Sequence, residues 1–314
     1  MANESRRTRR AQILGMMNMW IKKLLLLLLS AVPLVAMTAP LKVVATSSSV
    51  GMLVTEIAGE HAKLTVLAPP DRDIHYLQAK PSMIRALRSA DLLVAVGAEL
   101  EVGWLPVAVS SAANPKINSG QPGYFEAAAQ VSLLDVGVAA DRSLGDVHPA
   151  GNPHINTDPV RMAQVGHALA ERLAQMDEAH ANEYRERAKN FTQKVEQHLA
   201  GWIKKTENAP GALLYHKDIA YLLDRLKVPT LGLIEPVPGI PPTASHLKNL
   251  SQQLQDKKGV ILLANHHSPQ ASKSLAKTLG WNVVRLPLDP PLKSDSDVYL
   301  AHIERWVDAI ATTN

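Results

Sequence analysis

The chain has 314 residues, 46% hydrophobic and 20% charged, which is the balance of a folded protein with room for more than one core. It contains no cysteine, so disulfides and zinc–thiolate centres are excluded, and a transition metal must be held by His and carboxylate. The formal net charge is +4, but six of the 33 basic residues and one of the 29 acidic ones fall within residues 1–39, so the remainder is one charge negative, with no basic excess for nucleic acid.

The chain opens with a basic stretch containing Arg6, Arg7, Arg9, Arg10, Lys22 and Lys23. An apolar run from Leu24 through Val35 follows, then the small residues Ala36 and Ala39. This order predicts a secretory signal peptide over residues 1–39. The apolar run is broken by Ser30 and Pro33 and falls short of the ~20 residues needed to span a bilayer. The expected product is a soluble periplasmic protein, not lipidated, because there is no N-terminal Cys to modify.

Next, Leu41 to Ala45 reads as a strand and Val50 to Ile57 as a helix. Lys63 to Leu67 is a second strand, Pro81 to Leu87 a helix with Pro in its first turn, and Asp91 to Val96 a third strand. Residues 137–158 are loop-like. Asp158-Pro159 makes a capped helix start, and the helical pattern runs to about Lys205 with a break near Met176-Asp177. In its second part Tyr184, Ala188, Phe191, Val195, Leu199 and Trp202 form one apolar stripe. A second unit follows. Its strands are expected at 213–215, 230–234, 260–264 and 283–288, and its helices at 219–226, 244–254, 268–279 and 298–310. Strand–helix alternation implies parallel sheets. The predicted architecture is α/β: an N-terminal lobe over 40–176, a long rigid connecting helix over 177–206 and a C-terminal lobe over 207–314.

Twelve His are present, and the positions of three stand out. His75 lies just past the second strand, His154 just before the capped helix, and His216 at the exit of the first strand of the second lobe. Asp289 lies at the exit of that lobe's last strand. Ligands of open α/β sheets bind beyond the carboxyl ends of strands. Three imidazoles and one carboxylate are a complete tetrahedral set for zinc. Each also has a plainer reading, as a surface or hydrogen-bonding His or a turn-forming Asp before Pro. Spacing alone leaves both open.

The motifs Asp73-Ile74-His75-Tyr76, Ala90-Asp91-Leu92-Leu93 with Gly97 and Glu101, and Gly151-Asn152-Pro153-His154 with Asp158-Pro159 occur in that order. Tyr215-His216 with Tyr221-Leu222, Glu235-Pro236, Pro238-Gly239-Ile240-Pro241-Pro242 and Leu288-Asp289-Pro290 follow. Together they resemble the zinc/manganese-type solute-binding proteins of ABC importers, over nearly all of residues 41–314. The resemblance implies two α/β lobes joined by a rigid helix. It also places His75, His154, His216 and Asp289 at the family's metal-ligand positions. The chain departs from the family pattern in two places. The stretch 137–153 is short and holds only His148, where zinc members often carry a long His- and acid-rich loop. Asn265-His266-His267 stands where a Glu-Pro pair is frequent.

The expected function is capture of one divalent cation, Zn2+ with Mn2+ as the alternative, and delivery to an ABC transporter permease. A metallochaperone is a further possible partner, and the chain is expected to act as a monomer. A secreted zinc hydrolase is the rival reading, and it needs an open coordination position and a base nearby. No phosphate loop, Gly-x-Ser-x-Gly elbow or His-Glu-x-x-His motif supports an enzyme. Glu235 reads as part of a lobe-stiffening loop. His148, His266 and His267 are left as possible auxiliary residues.

Overall fold

A computed structural model describes residues 39–137, 148–237 and 239–312. The leader expected at 1–39 lies, but for Ala39, outside these residues. No helix among the described residues is long and apolar enough to cross a membrane.

Two four-stranded sheets, all parallel, carry the fold. The first contains β1 (Leu41–Ala45), β2 (Ala62–Val66), β3 (Leu92–Ala95) and β4 (Tyr124–Glu126) in the order β2-β1-β3-β4. The second contains β5 (Ala212–Leu214), β6 (Thr230–Leu233), β7 (Val260–Ala264) and β8 (Asn282–Leu286) in the order β6-β5-β7-β8. The central strands β3, β5 and β7 are buried along their whole length, as strands covered on both faces must be, and their sequences are continuous apolar runs. The edge strand β2 alternates in burial and keeps Lys63 and Thr65 outward.

The helices are α1 (Ser48–Ala58), α2 (Pro81–Arg88), α3 (Leu105–Ala112), α4 (Pro159–Met176) and α5 (Ala181–Thr206). They continue with α6 (Ala220–Leu226), α7 (Ala244–Leu254), α8 (Gln270–Leu279) and α9 (Ser296–Ala311). Asp158 caps α4 by accepting from Val160 N at 3.0 Å, as Asp before Pro predicts. The break expected near Asp177 is a short 3-10 turn over Glu178–His180. Of the predicted stripe on α5, five residues are buried and Leu199 is half-buried. Two elements had no counterpart in the sequence reading, α3 and β4. α3 has no charged residue to mark an outer face, and β4 is only three residues long, so neither gives a periodic signal.

Strand alternation divides the second sheet between two apolar clusters. Ala212, Leu214, Val260 and Leu262 point into the main core, which also takes in the first sheet. Leu213, Ile261 and Leu263 point the other way, into a smaller cluster with Leu250, Leu254, Leu275 and Trp281. The long α5 packs against α1 and α4 of the first lobe and against α9 of the second, so the main core runs through both lobes. Asp158, fully buried, is paired with Arg225 of α6 at 2.8 Å. In each sheet the order reverses between the first and third strands, which leaves a crevice beyond their carboxyl ends. His216 follows β5 and His266-His267 follow β7, at that crevice.

Candidate metal centre

Local hydrogen bonds aim each imidazole. Asp73 caps the short turn Ile74–Tyr76, and its Oδ1 accepts from His75 N at 3.0 Å and faces His75 Nδ1 at 2.6 Å. Trp104 fixes the same turn by donating to Ile74 O at 2.8 Å. His154 sits in a turn in which its N donates to Asn152 Oδ1 at 2.9 Å, while Tyr221 donates to Asn152 O at 2.6 Å. The turn depends on Gly151, at φ +120°, where an added Cβ would come within 2.8 Å of Leu133. His216 leaves β5, and its Nδ1 faces Glu235 Oε2 at 2.8 Å. In His75 and His216 a carboxylate therefore holds the proton on Nδ1 and turns the Nε2 lone pair toward the crevice.

The Nε2 atoms meet. His154 and His216 approach to 3.2 Å, and His75 and His148 to 3.1 Å. Two nitrogens on one tetrahedral zinc, each at ~2.0–2.1 Å, stand about 3.3 Å apart, so both separations fit a shared cation. Among the described residues, two of the groups whose ligand atoms lie mutually within 4.8 Å contain His154: His75, His148 and His154; and His154, His216 and Asp218. His154 is common to both. Six residues including His75, His216, Glu235 and His267 line a cavity of about 400 Å³ against Gly239.

Three of the four predicted ligands, His75, His154 and His216, are thus brought together. Asp289 stands outside both groups. Its Oδ1 accepts from Ser49 Oγ and, at 3.4 Å, from Asn156 Nδ2. Ser48 donates to the neighbouring Pro290 O at 2.6 Å, so the loop after β8 is fastened to the start of α1. The carboxylate that faces the Nε2 atoms of both His154 and His216 is one the sequence reading did not single out. Asp218 Oδ1 lies 3.7 Å from His154 Nε2 and 4.0 Å from His216 Nε2, is buried, and has no hydrogen-bond partner. Asp218 Oδ2 faces His267 Nε2 at 2.8 Å. The available signal was the spacing His216-Lys217-Asp218, which the turn Lys217–Ile219 folds back toward the crevice.

Electrostatics favour a cation here. Burial pushes the His154 pKa well below the ordinary value against the pull of Asp218, and neighbouring imidazoles lower it further, so His154 stays neutral and able to ligate. Burial opposes ionisation of Asp218, but the charges of His267 and His216 and the His267 hydrogen bond outweigh it and hold its pKa well below normal. Asp73 likewise overcomes burial through its bond to His75. Asp289 is raised, chiefly by burial. A separate group, His61, His180 and Glu183, lies where a 3-10 turn after α1 (Gly59–His61) meets the start of α5, and there His61 bonds Glu183 at 2.9 Å and His180 bonds Asp177 at 2.7 Å.

The family model ZnuA, zinc-uptake complex component A periplasmic, matches residues 43–313. The high-affinity zinc uptake system protein ZnuA of Yersinia pestis is 26% identical over 290 residues, covering 87% of this chain and 90% of that protein. The solved structure of a ZnuA deletion mutant with zinc bound superposes with a TM-score of 0.71 at 19% identity, covering 87% of this chain and 97% of that one. The solute-binding protein FpvC of Pseudomonas aeruginosa, solved with Ni2+, superposes with a TM-score of 0.70 at 20% identity over 87% of this chain and 96% of that one. FpvC has also been solved with Mn2+.

Proposed function

Because the chain belongs to the ZnuA family, the metal-binding periplasmic solute-binding proteins of ABC transporters, we propose that it captures Zn2+ between its lobes and hands it to an ABC permease. The cation is held by Nε2 of His75, His154 and His216 and by one carboxylate. Asp218 supplies that oxygen as the side chains stand, since its Oδ1 is buried, unpartnered and 3.7 Å from His154 Nε2. Asp289, the sequence candidate, ligates only if it gives up Ser49 and Asn156.

The observation that carries the reading is the approach of His154 Nε2 to His216 Nε2 at 3.2 Å beside the bare Asp218 Oδ1, with Nδ1 of His75 and His216 fixed by carboxylates. Neutral imidazoles do not crowd their ring nitrogens unless something electrophilic, a proton or a metal, is shared between them. Three nitrogens and one oxygen favour zinc, whereas manganese prefers more oxygen donors and sits lower in the affinity order. A filled set of protein ligands suits carriage, because it leaves no position for an activated water. Titrating metal-free protein with zinc against a chelator of known affinity tests this. Tight binding in the parent and strong loss in His154→Ala are expected. No binding in the parent removes the reading.

A further inference from the structure

Two features of the crevice are not used by that centre: the second oxygen of Asp218 and the adjacent pair His266-His267. Asp218, His266 and His267 have ligand atoms mutually within 4.8 Å. His267 Nε2 lies 2.8 Å from Asp218 Oδ2, and the His267 ring is stacked on Tyr215 at 4.5 Å, which sets its direction. Both His follow β7 at the point where the strand order reverses. Asp218 is 2% exposed, and its other oxygen, Oδ1, is unpartnered and turned toward His154 and His216. One carboxylate thus faces two groups of imidazoles, one from each oxygen.

We propose that Asp218, His266 and His267 form a second divalent-cation site, joined to the first by the Asp218 carboxylate as a bridge. The inference rests on the metal-binding reading of the first centre, with which it shares Asp218. Three carboxylates, Asp73, Glu235 and Asp218, contact the imidazoles of this one crevice, which gathers negative charge where cations would sit. The second ion has three protein ligands and keeps water in its remaining position, so it binds more weakly and exchanges faster than the first. The cavity gives it a path: His267 lines the same space as His75 and His216. A cation entering there meets the second site beside the first.

Native mass spectrometry of the full chain titrated with zinc, with X-ray absorption on the loaded protein, tests this. The parent should take up two zinc ions, with a metal–metal distance of about 3.5–4 Å. His266→Ala/His267→Ala should take up one, with the tighter step weakened by about 10- to 100-fold, because Asp218 loses the His267 bond that orients it. His266→Ala alone keeps the Asp218–His267 bond and guards against misfolding, and it should weaken only the second step. A parent that saturates at one zinc overturns this inference and leaves the first centre standing, whereas a parent that binds none removes the first centre itself. A double variant that still binds two ions, or a His266→Ala variant that loses the tight ion, also overturns the bridge.

Discussion

Asp218 Oδ1 lies 3.7 Å from His154 Nε2, both side chains almost wholly buried, with no hydrogen-bond donor on that oxygen. A bare carboxylate oxygen beside a neutral imidazole is costly in a core unless a cation sits between them. The two residues come from different segments, the turn before α4 and the turn after β5, so the cation that joins them also joins the lobes. Asp218→Asn should therefore weaken zinc by about 100-fold or more, at or beyond the upper end of the loss seen for supporting residues. Asp289→Asn should cost less. Affinities from chelator competition on both variants rank the two carboxylates, and an Asp289 effect that exceeds the Asp218 effect reverses the assignment.

Glu235 orients His216 without touching the cation, through its 2.8 Å contact with Nδ1. Glu235→Gln should lower zinc affinity by about 10- to 100-fold. The metal-free melting temperature should barely move, because the amide keeps a hydrogen-bonding oxygen. Calorimetry of metal-free and loaded protein separates the two effects. An equal fall in both would make Glu235 a purely structural residue.

Acid should destabilise the metal-free fold through His302. Its side chain is 3% exposed, its Nε2 donates to Leu288 O at 3.2 Å, and burial pushes its pKa down from 6.5 to about 4. The folded state therefore binds this proton less readily than the unfolded chain. The resulting stability is present above pH 6.5 and is lost as pH falls toward 4. The loss amounts to about 3 kcal/mol for this one group. His302→Leu should flatten that part of the curve of melting temperature against pH. A variant curve parallel to the parent's would assign the acid sensitivity elsewhere.

Asp158 ties the lobes independently of metal. It is fully buried, caps α4, and pairs with Arg161 and Arg225. Asp158→Ala removes the cap and leaves two guanidinium groups short of a partner. About 3–5 kcal/mol of stability should be lost by denaturant unfolding. A loss below about 1 kcal/mol would mean the pair is no stronger than a surface salt bridge.

Much of this was readable in the chain. The buried strands announced themselves as apolar runs such as Val260–Ala264, and Asp158-Pro159 marked the start of α4. His75, His154 and His216 stood out because each lies at a strand exit or beside a helix start. Asp218 did not stand out, since its relation to His267 spans 49 residues and exists only once β5 and β7 pair. The role of Glu235 was hidden for the same reason: its motif was visible, but its contact with His216 depends on β5 lying beside β6. α3 and β4 left no periodic signature, and Tyr124–Glu126 becomes a strand only by pairing with β3.

The most direct test of the account is zinc and manganese competing for the full metal-free chain at neutral pH, with the parent and two His216 variants side by side. Zinc should displace manganese from the parent. His216→Ala should weaken zinc strongly, because it removes a nitrogen ligand held by Glu235. His216→Glu should narrow the gap between the metals by adding an oxygen donor. Manganese binding as tight as zinc in the parent, or a His216→Ala titration that overlays the parent's, would contradict the account.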